Sequence, residues 1–260
     1  MQESSDSTSA LARRYGLSRT TVAKWRKRTT TDDAPMGPHE PRSTALTPLE
    51  EVLVVAFRWL TLLSLDDVLD CLRDSIPRLT RSNLHRCLSR HGLSRLPKPD
   101  DATARRRRRA AGSTGCVHLH LRVLPLADGR RSVALAIDHV SKFIHVAVHA
   151  GPRPPAGREV LRTLVQAFPS AIHTIVTETP MPIARACAEH GVAHRQDGRT
   201  LPWPARQAER LDRTIEEALA GIDADTVKTH VLAFVARHNA ERRLKALGAK
   251  APVEAARSRG

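Results

Sequence analysis

The chain has 260 residues, enough for one substantial core with satellite modules. Its 42 lysines and arginines outweigh 27 acidic residues, giving a formal net charge of +15 and an isoelectric point near 10.9. That balance favours a polyanionic partner, although a genomic bias toward arginine and alanine would produce the same charge without one. Most of the excess is arginine, whose planar fork suits phosphate. Aromatic residues at 3% leave few platforms for stacked bases, which disfavours single strands and points to duplex DNA. Cys71, Cys87, Cys116 and Cys187 form no C-x-x-C pair, so they indicate neither a zinc knuckle nor a disulfide framework. They read as small buried hydrophobes in a reducing compartment. The start of the chain is polar and acidic, and no apolar run approaches membrane-spanning length. The expectation is a cytoplasmic protein without a membrane partner, associated with the nucleoid through DNA.

Residues 8–29 have the grammar of a helix-turn-helix. Leu11, Ala12 and Tyr15 face inward from a first helix that stops at Gly16. Leu17 plugs the core, and Ser18 caps a second helix whose Val22 and Trp25 face in. Arg19, Thr20, Lys24, Arg26 and Lys27 are then available to a groove and its phosphates. An ordinary helical hairpin with a solvated basic face fits the same pattern. Few residues precede the first helix, so this module is expected to be truncated. Proline and glycine mark 30–46 as a linker.

Thr47, Pro48 and Glu50 supply an N-cap, a first-turn proline and a capping-box acid. They open a helix whose apolar face carries Leu49, Val52, Leu53, Ala56, Phe57 and Leu60. A second helix starts at Ser64, with Asp67 completing another capping box, and stops before Pro77. A third runs from the Thr80 cap to His91, with Gly92 as its stop. Residues 47–93 thus form a second helix-turn-helix in which Arg81, Ser82, His85 and Arg86 sit where base contacts arise. An Arg-rich linker follows at 94–115. Its Arg105, Arg106, Arg107, Arg108 and Arg109 would neutralise phosphates without reading sequence, or serve only as a solvated tether.

From 116 the pattern alternates as strands do. Three strands, near 116–124, 132–138 and 142–149, precede a helix at 158–168 with Val160, Leu161, Leu164, Val165 and Phe168 inward. A strand at 172–177, a helix at 183–190, a last strand at 192–195 and helices at 206–220 and 224–239 complete the order. Three antiparallel strands followed by alternating helices and strands is the order of a ribonuclease-H-like α/β core. The reading is an α+β multi-domain chain, with helix-turn-helix modules ahead of a core at 116–220 and C-terminal helices and tail at 221–260.

Particular motifs carry a resemblance. They are T-V-A-K-W-R-K-R (21–28), A-P-M-G-P-H-E-P-R-S-T (34–44), T-L-L-S-L-D-D (61–67), the stretch 79–97, A-I-D-H-V-S-K-F (136–143), L-P-W-P-A-R-Q-A-E-R-L-D-R (201–213) and H-N-A-E-R-R-L-K-A-L (238–247). In this order they resemble insertion-sequence transposases of the DDE, retroviral-integrase-like superfamily. The resemblance implies DNA integration and recombination by two-metal phosphoryl transfer on Mg²⁺ or Mn²⁺ held by three carboxylates. It also implies double-stranded element ends as partner, and homo-oligomers. Glu209 stands at the position of the last acid. His120 stands at the first, in G-C-V-H-L-H where the family pattern resembles G-x-x-H-x-D. Glu178 stands at the second, without the asparagine and glycine that follow it in the family, and the stretch from there to Glu209 is short.

The triad positions therefore read His120, Glu178 and Glu209, with Glu178 and Glu209 as the remaining anionic metal ligands. Imidazole is a poor magnesium ligand, though acceptable to manganese or zinc, and a glutamate displaces its oxygens by one methylene relative to aspartate. Three functional readings follow: a mobile-element transposase homologue with impaired catalysis, a non-catalytic DNA-binding regulator derived from one, or an enzyme that keeps activity with manganese on His120, Glu178 and Glu209. Asp138, ending the second strand, reads as a turn cap.

Overall fold

Each helix of the amino-terminal pair begins where a serine in extended conformation offers its hydroxyl to a free backbone N–H. Ser7 accepts from Ala10 ahead of α1 (Thr8–Tyr15), and Ser18 accepts from Thr21 ahead of α2 (Arg19–Arg26). Between them Gly16 takes the left-handed conformation, φ 64°, that closes α1. The computed structural model describes residues 4–29, 32, 45–96, 114–178, 181–197 and 203–258. The five arginines at 105–109, with most of both expected linkers, lie outside those residues.

The chain divides into two units, Met1–Arg42 and Ser43–Gly260. In the first, Leu11, Ala12 and Val22 make the buried cluster. Tyr15 and Leu17, expected inside, are 51% and 38% exposed. Among the described residues of this unit two helices are all there is to pack against, and a hairpin of two helices has room for a narrow seam only.

In the second unit α3 (Pro48–Thr61) carries the expected capping box, with Thr47 and Glu50 each bonding the other's backbone N–H. It is followed by α4 (Leu65–Leu72) and α5 (Arg81–Arg90), the latter capped reciprocally by Thr80 and Asn83. The sheet comprises β1 (Cys116–Leu126), β2 (Gly129–Asp138), β3 (Ile144–His149), β4 (Thr174–Thr177) and β5 (Ala193–Gln196). Its order is β3-β2-β1-β4-β5. The first three strands are antiparallel, and β4 and β5 run parallel to β1. Helices α6 (Gly157–Ala167) and α7 (Ala184–Glu189) connect the later strands. α8 (Ala205–Leu219) and α9 (Ala224–Glu241) follow, and a short 3₁₀ turn leads to α10 (Pro252–Arg257). This is the mixed sheet with helices expected of a ribonuclease-H-like α/β core.

Alternation along the strands sends side chains to two separate cores. Val117, Leu119, Ala134 and Ala136 join Val160, Leu161 and Leu164 of α6 and Cys187 of α7. Val165, expected inward, is 49% exposed, on the outer side of α6. On the opposite face Ile137, Ile144 and Val146 join Phe57 of α3, Leu72 of α4, Leu88 of α5, Leu211 of α8 and Phe234 of α9. The three helices at 48–90 thus share one core with the sheet.

Two glycines sit where a side chain has no room: Gly157, whose Cβ would lie 2.1 Å from the Pro182 carbonyl oxygen, and Gly115. Gly115, just before β1, sits at φ +98°, and a Cβ there would lie 2.3 Å from the Ala171 carbonyl oxygen. That close approach lets the Gly115 carbonyl accept the N–H groups of His173 and Thr174, aligning the start of β4 beside β1.

Candidate functional site

Strand register brings the first two triad positions together. His118 pairs with Val176 and Leu119 with Thr177, so continuing the parallel register one step sets Glu178 beside His120. His120 Nδ1 lies 3.6 Å from Glu178 Oε2. Glu209 projects from α8, and all three line one open cavity of about 580 Å³ bordered by β1, β2, β3, α3, α8 and α9. The cavity walls are otherwise chiefly apolar, with Trp59, Leu135, Val146 and Trp203 among them. Arg122 pairs with Asp212 at 3.1 Å along the same α8 side.

His118 faces the same side of the sheet. It is 3% exposed, its Nδ1 has no hydrogen-bond partner among the described residues, and its ring stands edge-on to His139 at 4.5 Å. Burial, helped by the neighbouring His120, pushes its imidazole down to about 4. Asp138 is fully buried and already committed. Its carboxylate accepts backbone N–H groups from Gly115, Val140 and Ser141 at 3.2, 2.8 and 3.4 Å, which is the turn-capping role the sequence suggests.

These residues do not fit a pair of magnesium ions. One of the three positions offers a nitrogen where a hard cation needs anionic oxygen. Glu209 is exposed on α8, and its donor atoms with those of His120 and Glu178 do not gather within 4.8 Å of one another. Among the described residues a different set does so: Glu51, Cys87 and His91. Cysteine spacing gives no sign of this cluster, because the neighbours of Cys87 are a histidine one turn on and a glutamate on another helix.

The basic candidates divide by surroundings. Arg19, Thr20, Lys24 and Lys27 are exposed on and just after α2. Arg26 is not free as expected: its guanidinium donates to the carbonyls of Ser4, at 2.9 Å, and Asp6, tying the residues ahead of α1 to the end of α2. On α5 the exposed face carries Arg81, Ser82, His85 and Arg86, opposite the buried Leu84, Cys87 and Leu88. Arg81 pairs with Asp66 at 2.9 Å, both largely in solvent, where such a pair is weak enough to exchange for a phosphate.

No known family model matches the chain. No curated protein matches it either. Among solved structures it is similar to the catalytic core domain of BIV integrase, at 15% identity and a TM-score of 0.35, over 53% of this chain and 90% of that one. It is also similar to the HTLV-2 integrase catalytic core domain in complex with magnesium, in a dimeric form. There the identity is 10% and the TM-score 0.37, over 55% of this chain and 94% of that one. These are distant likenesses of retroviral integrase core architecture and extend to nothing else. Among the described residues, no helix is long and apolar enough to cross a membrane.

Proposed function

We propose that this chain is a DNA-binding homologue of DDE transposases, derived from a mobile element, whose phosphoryl-transfer centre is impaired. The observation that carries the reading is the cavity that His120, Glu178 and Glu209 all line although they come from β1, the end of β4 and α8. Three positions that motif resemblance assigns to one site line one site, while their chemistry has changed from oxygen cage to imidazole and two unclustered carboxylates. A metal-dependent step has no support from such a set. The exposed basic faces of α2 and α5, with the formal charge of +15, support binding to double-stranded DNA.

A second reading, a non-catalytic regulator that occupies element ends, rests on the contrast between those intact basic faces and the altered cavity. One experiment separates the two. Binding and cleavage of inverted-repeat duplex ends are compared with Mg²⁺ and Mn²⁺ for the natural chain and for the His120→Asp, Glu178→Asp double variant. The natural chain is expected to bind the ends in preference to random duplex and to leave them uncut. Recovered nicking or strand transfer in the double variant marks a lapsed enzyme, and continued inertness with specific binding marks the regulator. Binding of random duplex and inverted repeats with equal affinity would overturn both.

A further inference from the structure

Cys87 and His91 stand four residues apart at the C-terminal end of α5, a spacing that places both side chains on one face of a helix. Glu51, in the first turn of α3, reaches the same point: its Oε1 lies 2.7 Å from His91 Nε2. The donor atoms of the three all lie within 4.8 Å of one another. Cys87 is fully buried, while the side chains of Glu51 and His91 are 18% and 12% exposed, so the cluster opens to solvent on one side.

The hydrogen bonding around His91 narrows what can lie between it and Glu51. The hydroxyl of Thr214, on α8, donates its hydrogen to the Arg210 carbonyl at 2.9 Å, so toward His91 Nδ1, 3.5 Å away, it can only accept. Nδ1 then carries a hydrogen, and Nε2 meets the Glu51 carboxylate across either a proton or a metal ion. An outward N–H held by an acceptor is the arrangement that orients a metal-bound imidazole.

We propose that Glu51, Cys87 and His91 form a binding site for a borderline divalent cation of the zinc class. Thiolate, imidazole and carboxylate are the donors such ions take, and three protein ligands leave a fourth tetrahedral position to water. The ion replaces the proton between His91 and Glu51, displaces the thiol proton of Cys87 to solvent and fastens α3 to α5 beneath α8. Two features weaken the site without removing it. Burial, with the charge of Glu51, pushes the Cys87 thiol up to about 12, so binding must drive the deprotonation. Arg90 also donates to Glu51 Oε1 at 2.9 Å and must yield that oxygen.

The test needs no DNA and is independent of the transposase reading. The full chain is stripped with a chelator and titrated with Co²⁺, then with Zn²⁺ in competition. A near-ultraviolet thiolate-to-cobalt charge-transfer band with tetrahedral d–d bands is expected, lost in Cys87→Ser and kept in Cys71→Ser. Thr214→Val is expected to weaken binding on the order of tenfold or more. Arg90→Gln, which removes a competing cation, is expected to tighten binding, whereas a purely structural ion pair would show no metal effect. If Cys87→Ser fails to fold, His91→Gln takes its place, with the same loss expected. Absence of the charge-transfer band in the natural chain, or its persistence in both Cys87→Ser and His91→Gln, overturns the proposal.

Discussion

The side chain of Asn239 pairs with the backbone of Ile144 on both sides: Oδ1 accepts its N–H at 3.0 Å, and Nδ2 donates to its carbonyl at 2.7 Å. Ile144 opens β3, the edge strand of the sheet, where one row of backbone groups has no neighbouring strand. Asn239 supplies from α9 what a further strand would have supplied, and His238 beside it bonds the Lys142 carbonyl at 3.0 Å. The H-N of the 238–247 motif is thus a device for closing a sheet edge against a helix. Asn239→Leu leaves two buried backbone groups unpaired and is expected to destabilise the fold by about 2 kcal/mol or more. Urea denaturation checks this through a lowered midpoint at unchanged slope.

Trp203 stacks on Trp59, with ring centroids 5.2 Å apart, and donates its indole N–H to the Trp59 carbonyl at 3.0 Å. The contact joins the start of α8 to α3 at the wall of the cavity. Trp203→Ala is expected to lower stability by about 3–5 kcal/mol, and Trp203→Phe by less, since the aromatic face survives and only the N–H is removed. Thermal unfolding of both variants measures the difference.

Two buried histidines give the fold an acid limit. Burial pushes both His118 and His238 down to about 4, from an ordinary value of 6.5. Between pH 6.5 and 4 the unfolded chain takes up protons that the folded chain refuses. Stability is therefore intact above pH 6.5 and falls with pH, by up to about 1.4 kcal/mol per pH unit for each group. His118→Phe with His238→Gln, the latter keeping an N–H for Lys142, is expected to flatten this limb. An equally steep loss in the double variant would show that other groups govern it.

Glu51 contributes in the same direction at lower pH. Hydrogen bonds from His91, and then Arg90, hold its carboxyl below the usual range against the opposing effect of burial. Its stabilisation is present above the ordinary glutamate value and is lost as pH falls through the depressed one. Glu51→Gln is expected to remove this low-pH component while leaving the histidine limb, as measured by midpoints across pH.

DNA affinity is expected to fall steeply with salt, on log axes. Deleting Arg105 through Arg109 should make the slope shallower by about 0.9 for each phosphate that is no longer neutralised, without altering sequence preference. Lys24→Ala with Lys27→Ala should act likewise. A slope unchanged by the deletion would leave the arginine run as a tether only.

What the residues determined alone was local. Helix starts at Ser18, Thr47, Ser64 and Thr80, the alternation of β1 to β3 and the apolar face of α6 depend on neighbours within a turn or a pleat, and they are legible because hydrogen-bond satisfaction and side-chain period act at short range. Tertiary structure decided which exposed-looking residues were spent and which separated residues met. It left Tyr15 in solvent, turned Arg26 back on the chain end, set Glu178 beside His120 through strand register, and brought Glu51 to the Cys87 and His91 face of another helix. None of these follows from spacing, because each depends on how close two elements distant in sequence approach, and that distance is set by the summed packing of the core between them.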